Sequence, residues 1–200
     1  MKKLGCGVIG IGAVIGLILL AVAFIVPYYN GLVTLNENVG EKWSAVETAY
    51  QARADKTKNL VEIVKAAGDY EQETLIGVTE ARAKASSMTL QVDNLTPENI
   101  AKYQQLQTNM TGALSRLLAT FERYPDLKAV AAYRDFQAQY EGMENRISTE
   151  RLRYNEAAKE FNTKVKQFPG VFLAPMLGFE EKGYFESDEG TENAPDISFE

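Results

Sequence analysis

The sequence predicts an all-α protein in which one N-terminal transmembrane helix is followed by an antiparallel four-helix up-and-down bundle. An uncharged apolar run covers residues 8–26. From Asn30 to Gln167, apolar side chains recur at spacings of three and four, and no alternating segment of useful length interrupts them. The first pattern is typical of a membrane span, and the second is typical of amphipathic helices that pack together.

A glycine pattern opens the chain and matches the fingerprint of a dinucleotide-binding loop: Gly5-Cys6-Gly7-Val8-Ile9-Gly10. Such a loop requires a strand before it and an acidic residue about 20 positions after it. Here the segment before the glycines is too short for a buried strand, and the first acidic residue is Glu37. We therefore assign these glycines to a membrane anchor and expect no nucleotide cofactor.

Residues 8–26 contain no polar side chain, and a helix needs about 20 apolar residues to cross the hydrocarbon core. Tyr28 and Tyr29 follow the run, where an interfacial aromatic belt would lie. Gly12 and Gly16 form a G-x-x-x-G pair, which allows two such helices to approach closely and makes them packing candidates for a homo-oligomer. The alternative is that small residues merely fill a lipid-facing helix.

Cleavage and orientation of this segment are read from its flanks. Ala21-Val22-Ala23 resembles a signal-peptidase site, but the apolar run continues beyond it, which favours an uncleaved anchor. Lys2 and Lys3 precede the span, and Lys42 is the first cation after it. The positive-inside rule therefore predicts a cytoplasmic N-terminus, with residues 1–29 forming the anchor and the remaining chain outside.

Four apolar stripes predict the helices of a bundle within residues 30–179. The stripes lie at residues 32–49, 60–78, 106–124 and 127–168. Thr96-Pro97-Glu98 is a helix-start signal before the third stripe, and Pro125 separates the third stripe from the fourth. The polar residues 55–59 separate the first two stripes, so we predict a turn there. The alternative is one bent helix from Asn30 to Ala85, which leaves three long helices.

Two segments of unusual composition follow the last stripe. Residues 168–179, FPGVFLAPMLGF, are apolar and form either a cap over the end of the bundle or an element that contacts the bilayer or a partner through Phe172, Leu173 and Leu177. With four helices this segment lies near the bilayer, and with three it lies at the far end. Residues 180–200 are strongly acidic, which predicts a flexible tail.

The composition argues against several classes of chemistry. The chain has no histidine, and its single cysteine lies at the anchor, so the commonest general base and the usual metal-ligand sets are missing. The formal net charge is −6 and is concentrated in the acidic tail, which argues against a nucleic-acid partner. We therefore predict no catalytic residue, no metal site and no cofactor. An enzyme with a pair of carboxylates is kept as a third hypothesis.

Short motifs along the whole chain resemble the LemA family of bacterial membrane-anchored proteins. They are Tyr29-Asn30-Gly31-Leu32-Val33, Trp43-Ser44-Ala45-Val46, Asn59-Leu60-Val61-Glu62, Tyr124-Pro125-Asp126-Leu127, Glu144-Asn145-Arg146-Ile147, Arg151-x-x-Tyr154-Asn155, Phe161-Asn162 and Ala194-Pro195-Asp196-Ile197-Ser198-Phe199. The resemblance implies a four-helix antiparallel bundle behind one transmembrane helix, and it implies no established activity. One departure is Asp55-Lys56-Thr57-Lys58, where family members usually carry D-L-I-P.

We therefore predict a non-enzymatic scaffold or adaptor of the bacterial cell envelope, held in the lipid bilayer of the cytoplasmic membrane through residues 8–26. Family members are often encoded near membrane metallopeptidases, so the resemblance implies an envelope protein of that kind as a partner. The alternative is a sensory or regulatory module that signals through transmembrane helix pairing.

Overall fold

A computed structural model describes residues 6–66, 72–123 and 131–186, and those ranges are almost entirely helical, with no strand among them. The prediction of an all-α protein is therefore confirmed. The described ranges contain five helices and one 3-10 turn: α1 (Cys6–Ala66), α2 (Gln72–Ser87), the 3-10 turn (Val92–Asn94), α3 (Pro97–Arg123), α4 (Ala131–Lys166) and α5 (Gly170–Met176).

The first helix, α1, is 61 residues long and joins the apolar run, the first apolar stripe and the start of the second without a break. Leu75 and Val78 of the second stripe lie in α2. The turn predicted at residues 55–59 is therefore wrong. Of these polar residues only Thr57 is buried, and its hydroxyl donates a 2.8 Å hydrogen bond to the carbonyl of Arg53 in the preceding turn. The other four are exposed on the outer side of the helix, where polar residues do not interrupt it.

Instead, the chain runs in opposite directions in α1 and α2. The guanidinium of Arg82 in α2 donates to the carbonyl of Ala54 at 3.1 Å, and the amide of Gln107 in α3 donates to the carbonyl of Ala85 at 3.4 Å. A residue well inside α2 thus contacts a residue well before the end of α1, and a residue inside α3 contacts one near the end of α2. α1, α2 and α3 are therefore antiparallel in succession.

The fourth helix returns along α1. The Tyr28 hydroxyl donates to the carbonyl of Lys164 at 2.7 Å, and Arg53 pairs with Glu144 at 3.1 Å much farther along both helices. The part of α1 that follows the apolar run therefore forms an up-and-down bundle with α2, α3 and α4, as the sequence predicts. The alternative of three long helices is wrong, because α2 is a separate returning helix.

The core of the bundle has two main parts. The part far from the apolar run contains residues from all four helices: Leu60, Val61, Val64, Leu75, Val78, Ala113, Leu114, Leu117 and Phe136. The nearer part is rich in aromatic residues and includes Trp43, Tyr50, Tyr103, Tyr154, Phe161 and Phe185. Between Tyr28 and Val39, α1 packs against α4 and the C-terminal segment. The 3-10 turn between α2 and α3 lies at about the level of Gly40, where an added Cβ would be 3.4 Å from Val92.

The start of the predicted acidic tail is not a separate segment. After the exposed Glu180, residues 181–186 lie against α3 and α4, and Lys182 and Phe185 are buried. These six residues therefore belong to the body of the bundle. The rest of the predicted flexible tail, residues 187–200, lies outside the described residues.

The apolar part of α1 stands apart from the bundle. In its most apolar stretch of 18 residues, no residue is buried against the rest of the chain. Side chains such as Leu17 and Leu20 are about two-thirds exposed, at 67% and 70%. In length and composition α1 is the one described helix that could cross a membrane.

Candidate functional site

The predicted site residues lie at two places in the structure. Gly12 and Gly16 are one turn apart on α1, and nothing lies within 4 Å of the position that a Cβ would take on either. Phe172, Leu173 and Leu177 come together at α5 but point to different sides. Phe172 is 66% exposed, whereas Leu173 and Leu177 pack against the core. Leu173 and Leu177 therefore fit the cap alternative, and an outward contact of Phe172 stays a prediction.

A site that sequence reasoning missed lies where the chain crosses α3 and α4 after α5. We call residues 182–186 the strap. Three side-chain amides each accept from the backbone N–H and donate to the backbone carbonyl of one strap residue: Asn162 with Lys182, Asn155 with Phe185 and Gln104 with Glu186, at 2.8–3.0 Å. These amides replace the neighbouring strand that an extended chain would otherwise need.

The spacing of two of these amides explains the conformation of the strap. Asn155 and Asn162 are seven residues apart on one side of α4, which corresponds to about 10.5 Å along the helix axis. Their partners, Phe185 and Lys182, are three residues apart. Three residues can span that distance only when the chain is almost fully extended, at about 3.5 Å per residue. The helix therefore sets the extension of the strap.

The strap also inserts one side chain into the aromatic core. The ring of Phe185 stacks on Trp43 at 6.0 Å and meets Tyr154 edge to face at 5.4 Å, and the guanidinium of Arg151 lies 5.1 Å from its centroid. The Tyr154 hydroxyl donates to the carbonyl of Gly183 at 3.0 Å. Burial raises the pKa of Tyr154, so this hydroxyl keeps its proton over the whole physiological range.

Gly183 and Lys182 close the contact between the strap and the start of α3. The backbone N–H of Gly183 donates to the carbonyl of Leu95 at 2.7 Å, and an added Cβ would come within 2.7 Å of Pro97. Only glycine fits so close to another backbone. The Lys182 ammonium donates to the carbonyl of Val92 at 2.7 Å and lies 5.3 Å above the ring of Phe161. Burial lowers the pKa of Lys182.

A buried arginine joins three helices near the middle of the bundle. Arg53 of α1 is 2% exposed and donates to the Thr111 hydroxyl at 2.8 Å, to the Gln107 side chain at 2.9 Å and to Glu144 at 3.1 Å. Its guanidinium also lies 5.1 Å from the ring centroid of Tyr50. With these contacts Arg53 ties α1 to α3 and α4 and acts as a structural cross-link.

Glu47 provides a pH-dependent test of the packing between α1 and the segment before the 3-10 turn. Burial raises the pKa of Glu47, and hydrogen bonds from the Trp43 side chain and the Leu90 backbone oppose that rise. A carboxyl that holds its proton more tightly when folded lowers stability as the pH rises through its folded pKa. This cost is absent below its ordinary pKa of 4.5.

We therefore expect Glu47→Gln to be more stable than the parent protein at pH 7, and this advantage should disappear below about pH 4. Urea unfolding followed by helical circular dichroism at both pH values measures it. Glu37→Gln, an exposed substitution of the same type on α1, is the control. An advantage of Glu47→Gln that grows on acidification would show that burial does not dominate at this carboxyl.

Comparison with known proteins identifies the family of this chain. The model of the LemA family matches residues 42–199, which include most of the bundle, α5 and the strap. The chain belongs to the LemA family. It is also 27% identical over 209 residues to magnetosome protein MamQ 2 of Paramagnetospirillum magneticum, a match that covers 92% of this chain and 75% of the relative.

Two further proteins are similar to this chain over most of its length. MamQ of Magnetospirillum gryphiswaldense is 24% identical over 92% of this chain and 75% of its own length. Protein LemA of Metamycoplasma hominis is 26% identical over 80% of this chain and 69% of its own length. The resemblance predicted from the short motifs is confirmed, and the chain is a membrane-associated helical protein.

Several of the motifs that carry the resemblance surround the strap. Trp43, Arg151, Tyr154, Asn155 and Asn162 all contact it. The sequence contained a signal of this site, because Asn155 and Asn162 are polar residues seven apart in a helix with an apolar stripe.

In the described part of the chain, no group of three acidic or thiol side chains is arranged to hold a metal ion.

Proposed function

We propose that this protein is a membrane-anchored adaptor that presents its helical bundle to a partner protein in the bacterial cell envelope. The observation that supports this most directly is the continuity of α1. A helix rises about 1.5 Å per residue, so the part of α1 from Pro27 to Ala66 extends about 60 Å beyond the apolar run. One helix thus joins the anchor to the bundle without a flexible linker.

The junction between anchor and bundle is also braced. Pro27 lies inside α1, where it removes one backbone hydrogen bond and would allow the helix to bend. Directly after it, Tyr28 and Leu32 are buried, and Tyr28 is bonded to the end of α4. This contact restrains the helix where it is weakest. A braced rod suits an adaptor that holds its partner at a set distance from the membrane.

The relatives are compatible with a non-enzymatic role. Three of them are named as magnetosome proteins, and neither these nor the LemA relative has the name of an enzyme. By analogy with the family, the partner we propose is an envelope protein such as a membrane metallopeptidase. We place the protein in the cytoplasmic membrane with its bundle on the extracytoplasmic side.

Site-specific photocrosslinking in intact cells tests the adaptor proposal. Photoreactive side chains are introduced separately at Ile76 of α2 and Leu152 of α4, two exposed apolar positions on different helices. A true partner should give one defined adduct from one helix and not from the other, and mass spectrometry identifies it. The same ladder of adducts from both positions, or no adduct from either, would contradict the proposal.

The topology follows from the lysines before the apolar run. In a Cys6→Ser background, Leu152→Cys should react with a membrane-impermeant maleimide added to cells whose outer membrane, if present, is permeabilised. The cysteine is expected to be labelled without lysis, because two lysines hold the N-terminus in the cytoplasm. Labelling of Leu152→Cys only after lysis would reverse the topology. A cytoplasmic marker protein must stay unlabelled in the same cells.

The second candidate function is a signalling module that pairs through its span. It is favoured by the open surface over Gly12 and Gly16, which are one turn apart, because no described residue from elsewhere in the chain lies within 4 Å of a Cβ added to either. Oxidative crosslinking through the native Cys6 should then give a dimer, and Gly12→Leu with Gly16→Leu should abolish it. Crosslinking that is unchanged in this double variant would assign the two glycines to the lipid-facing surface.

A further inference from the structure

The outer side of α5 is an apolar surface that no other described residue of the chain covers. Residues 168–179 contain no charged side chain and no side chain that forms hydrogen bonds. The inner side of this segment is packed, since Ala174 is fully buried and Leu173, Leu177 and Phe179 contact the core. We call the exposed large side chains of this segment the outer face of α5. They are Phe168, Val171, Phe172 and Met176, with exposures of 83%, 51%, 66% and 82%.

Three contacts place α5 beside the point where the apolar run of α1 ends. The Tyr28 hydroxyl is bonded to the last turns of α4, and the ring of Tyr29 lies 5.7 Å from that of Phe179. Gly170, the first residue of α5, is so close to Tyr28 that an added Cβ would overlap with the phenol oxygen. α5 is therefore level with the first turn of α1 that follows the apolar run.

This position corresponds to the headgroup layer of a bilayer. Tyr28 lies two residues beyond Val26, or about 3 Å along the helix axis. Each headgroup layer adds roughly 5–7 Å to the hydrocarbon core. The outer face of α5 thus lies within the depth at which apolar and aromatic side chains of interfacial helices are embedded. In water, four large exposed apolar side chains on so short a segment would be unfavourable.

We propose that the outer face of α5 is a second membrane contact, inserted into the headgroup and upper acyl region of the leaflet from which α1 emerges. This proposal rests on α1 crossing the membrane. A span alone leaves the bundle free to tilt and to rotate about the axis of α1. A second contact, beside α1 and joined to α4, fixes both and sets which helices of the bundle face away from the lipid.

Spin labels on the full-length protein in phosphatidylcholine–phosphatidylglycerol vesicles test this contact. In a Cys6→Ser background, single cysteines at Phe172 and Met176 are compared with one at Leu152, which is 60% exposed on α4 and serves as the matched control. Labels at both α5 positions should collide more with oxygen, which concentrates in lipid, than with a water-soluble nickel chelate. The label at Leu152 should show the reverse order.

Two results would overturn the proposal. Labels at Phe172 and Met176 that collide preferentially with the nickel chelate would place the outer face of α5 in water. Immobilised labels that neither relaxant reaches would show that protein covers it. Loss of the span itself is recognised separately, because the protein would then no longer float with the vesicles after alkaline extraction.

A tryptophan variant provides an independent measurement with a conservative aromatic replacement. The fluorescence that Phe172→Trp adds should be largely quenched by lipids brominated in the upper acyl chain, whereas that of Leu152→Trp should not. The native Trp43 lies 17 residues beyond Val26, about 25 Å along α1, and forms a constant background in both variants. Equal quenching of the two variants would contradict the membrane contact.

Discussion

Phe161→Ala should lower the free energy of unfolding by about 3–5 kcal/mol, the range for truncating a fully buried phenylalanine. The Phe161 ring is completely buried in α4. It meets Phe179 edge to face at 6.1 Å, and the Lys182 ammonium lies 5.3 Å from its centroid. Phe179 and Lys182 belong to the C-terminal segment, and the same core contains Leu32 of α1. Because these residues are held by separate elements, we expect them to relax only partly into the cavity.

Thermal or urea unfolding of the full-length protein in detergent micelles, followed by helical circular dichroism, measures this loss. Leu152→Ala removes an exposed apolar side chain from the same helix and should change stability by less than about 0.5 kcal/mol. If Phe161→Ala cost less than about 1 kcal/mol, the ring would not be a core residue, and the packing face of α4 would have to be reassigned.

Arg53→Ala should lower the free energy of unfolding by about 3 kcal/mol, at the lower end of the range for breaking a buried ion pair. The truncation leaves the Gln107 side chain and the Thr111 hydroxyl without their donor and removes the stem of a residue that is 2% exposed. The lower end is expected because the Glu144 side chain is 32% exposed, so water can partly solvate its carboxylate once Arg53 is gone.

Two further substitutions separate the causes of this effect. Arg53→Met keeps most of the buried stem and removes the charge, so the difference from Arg53→Ala reports the lost volume. Lys65→Ala breaks the exposed pair with Glu62, whose charged atoms are 3.6 Å apart, and should cost at most about 1 kcal/mol. Equal losses in Arg53→Ala and Lys65→Ala would contradict the role of Arg53 as a buried cross-link.

The place where α1 ends shows the limit of reading turns from polarity. Residues 55–59 are polar, and a solvated helix face and a surface turn have the same composition. Only the tertiary structure distinguishes them. Thr57 is buried, with its hydroxyl bonded to a carbonyl of its own helix, and its polar neighbours point outward. The three-residue and four-residue spacing of apolar positions did continue through this segment, and that spacing was the more reliable signal.

The strap shows how an acidic stretch can become part of a core. In the sequence, residues 180–186 are the start of an acidic tail, and only Lys182 is basic among its charged residues. Their backbone is held by amides that are 20 to 82 residues away in the chain. The motifs around Asn155 and Asn162 were recognised by their order and spacing. Their role depends on which element lies opposite, and local patterns carry no such information.

The sequence by itself determined the apolar run that is long enough to span a membrane, the all-α class and the family, because these depend on apolar length, on a repeat of three to four residues and on motif order. Tertiary structure alone decided where α1 gives way to α2, what the strap binds and which side of α5 is buried. α5 is apolar all round, so no polar face sets its orientation. The buried side was set by Ala174, which is fully buried in the same core as Leu32 and Phe161, and Phe172 was left outside.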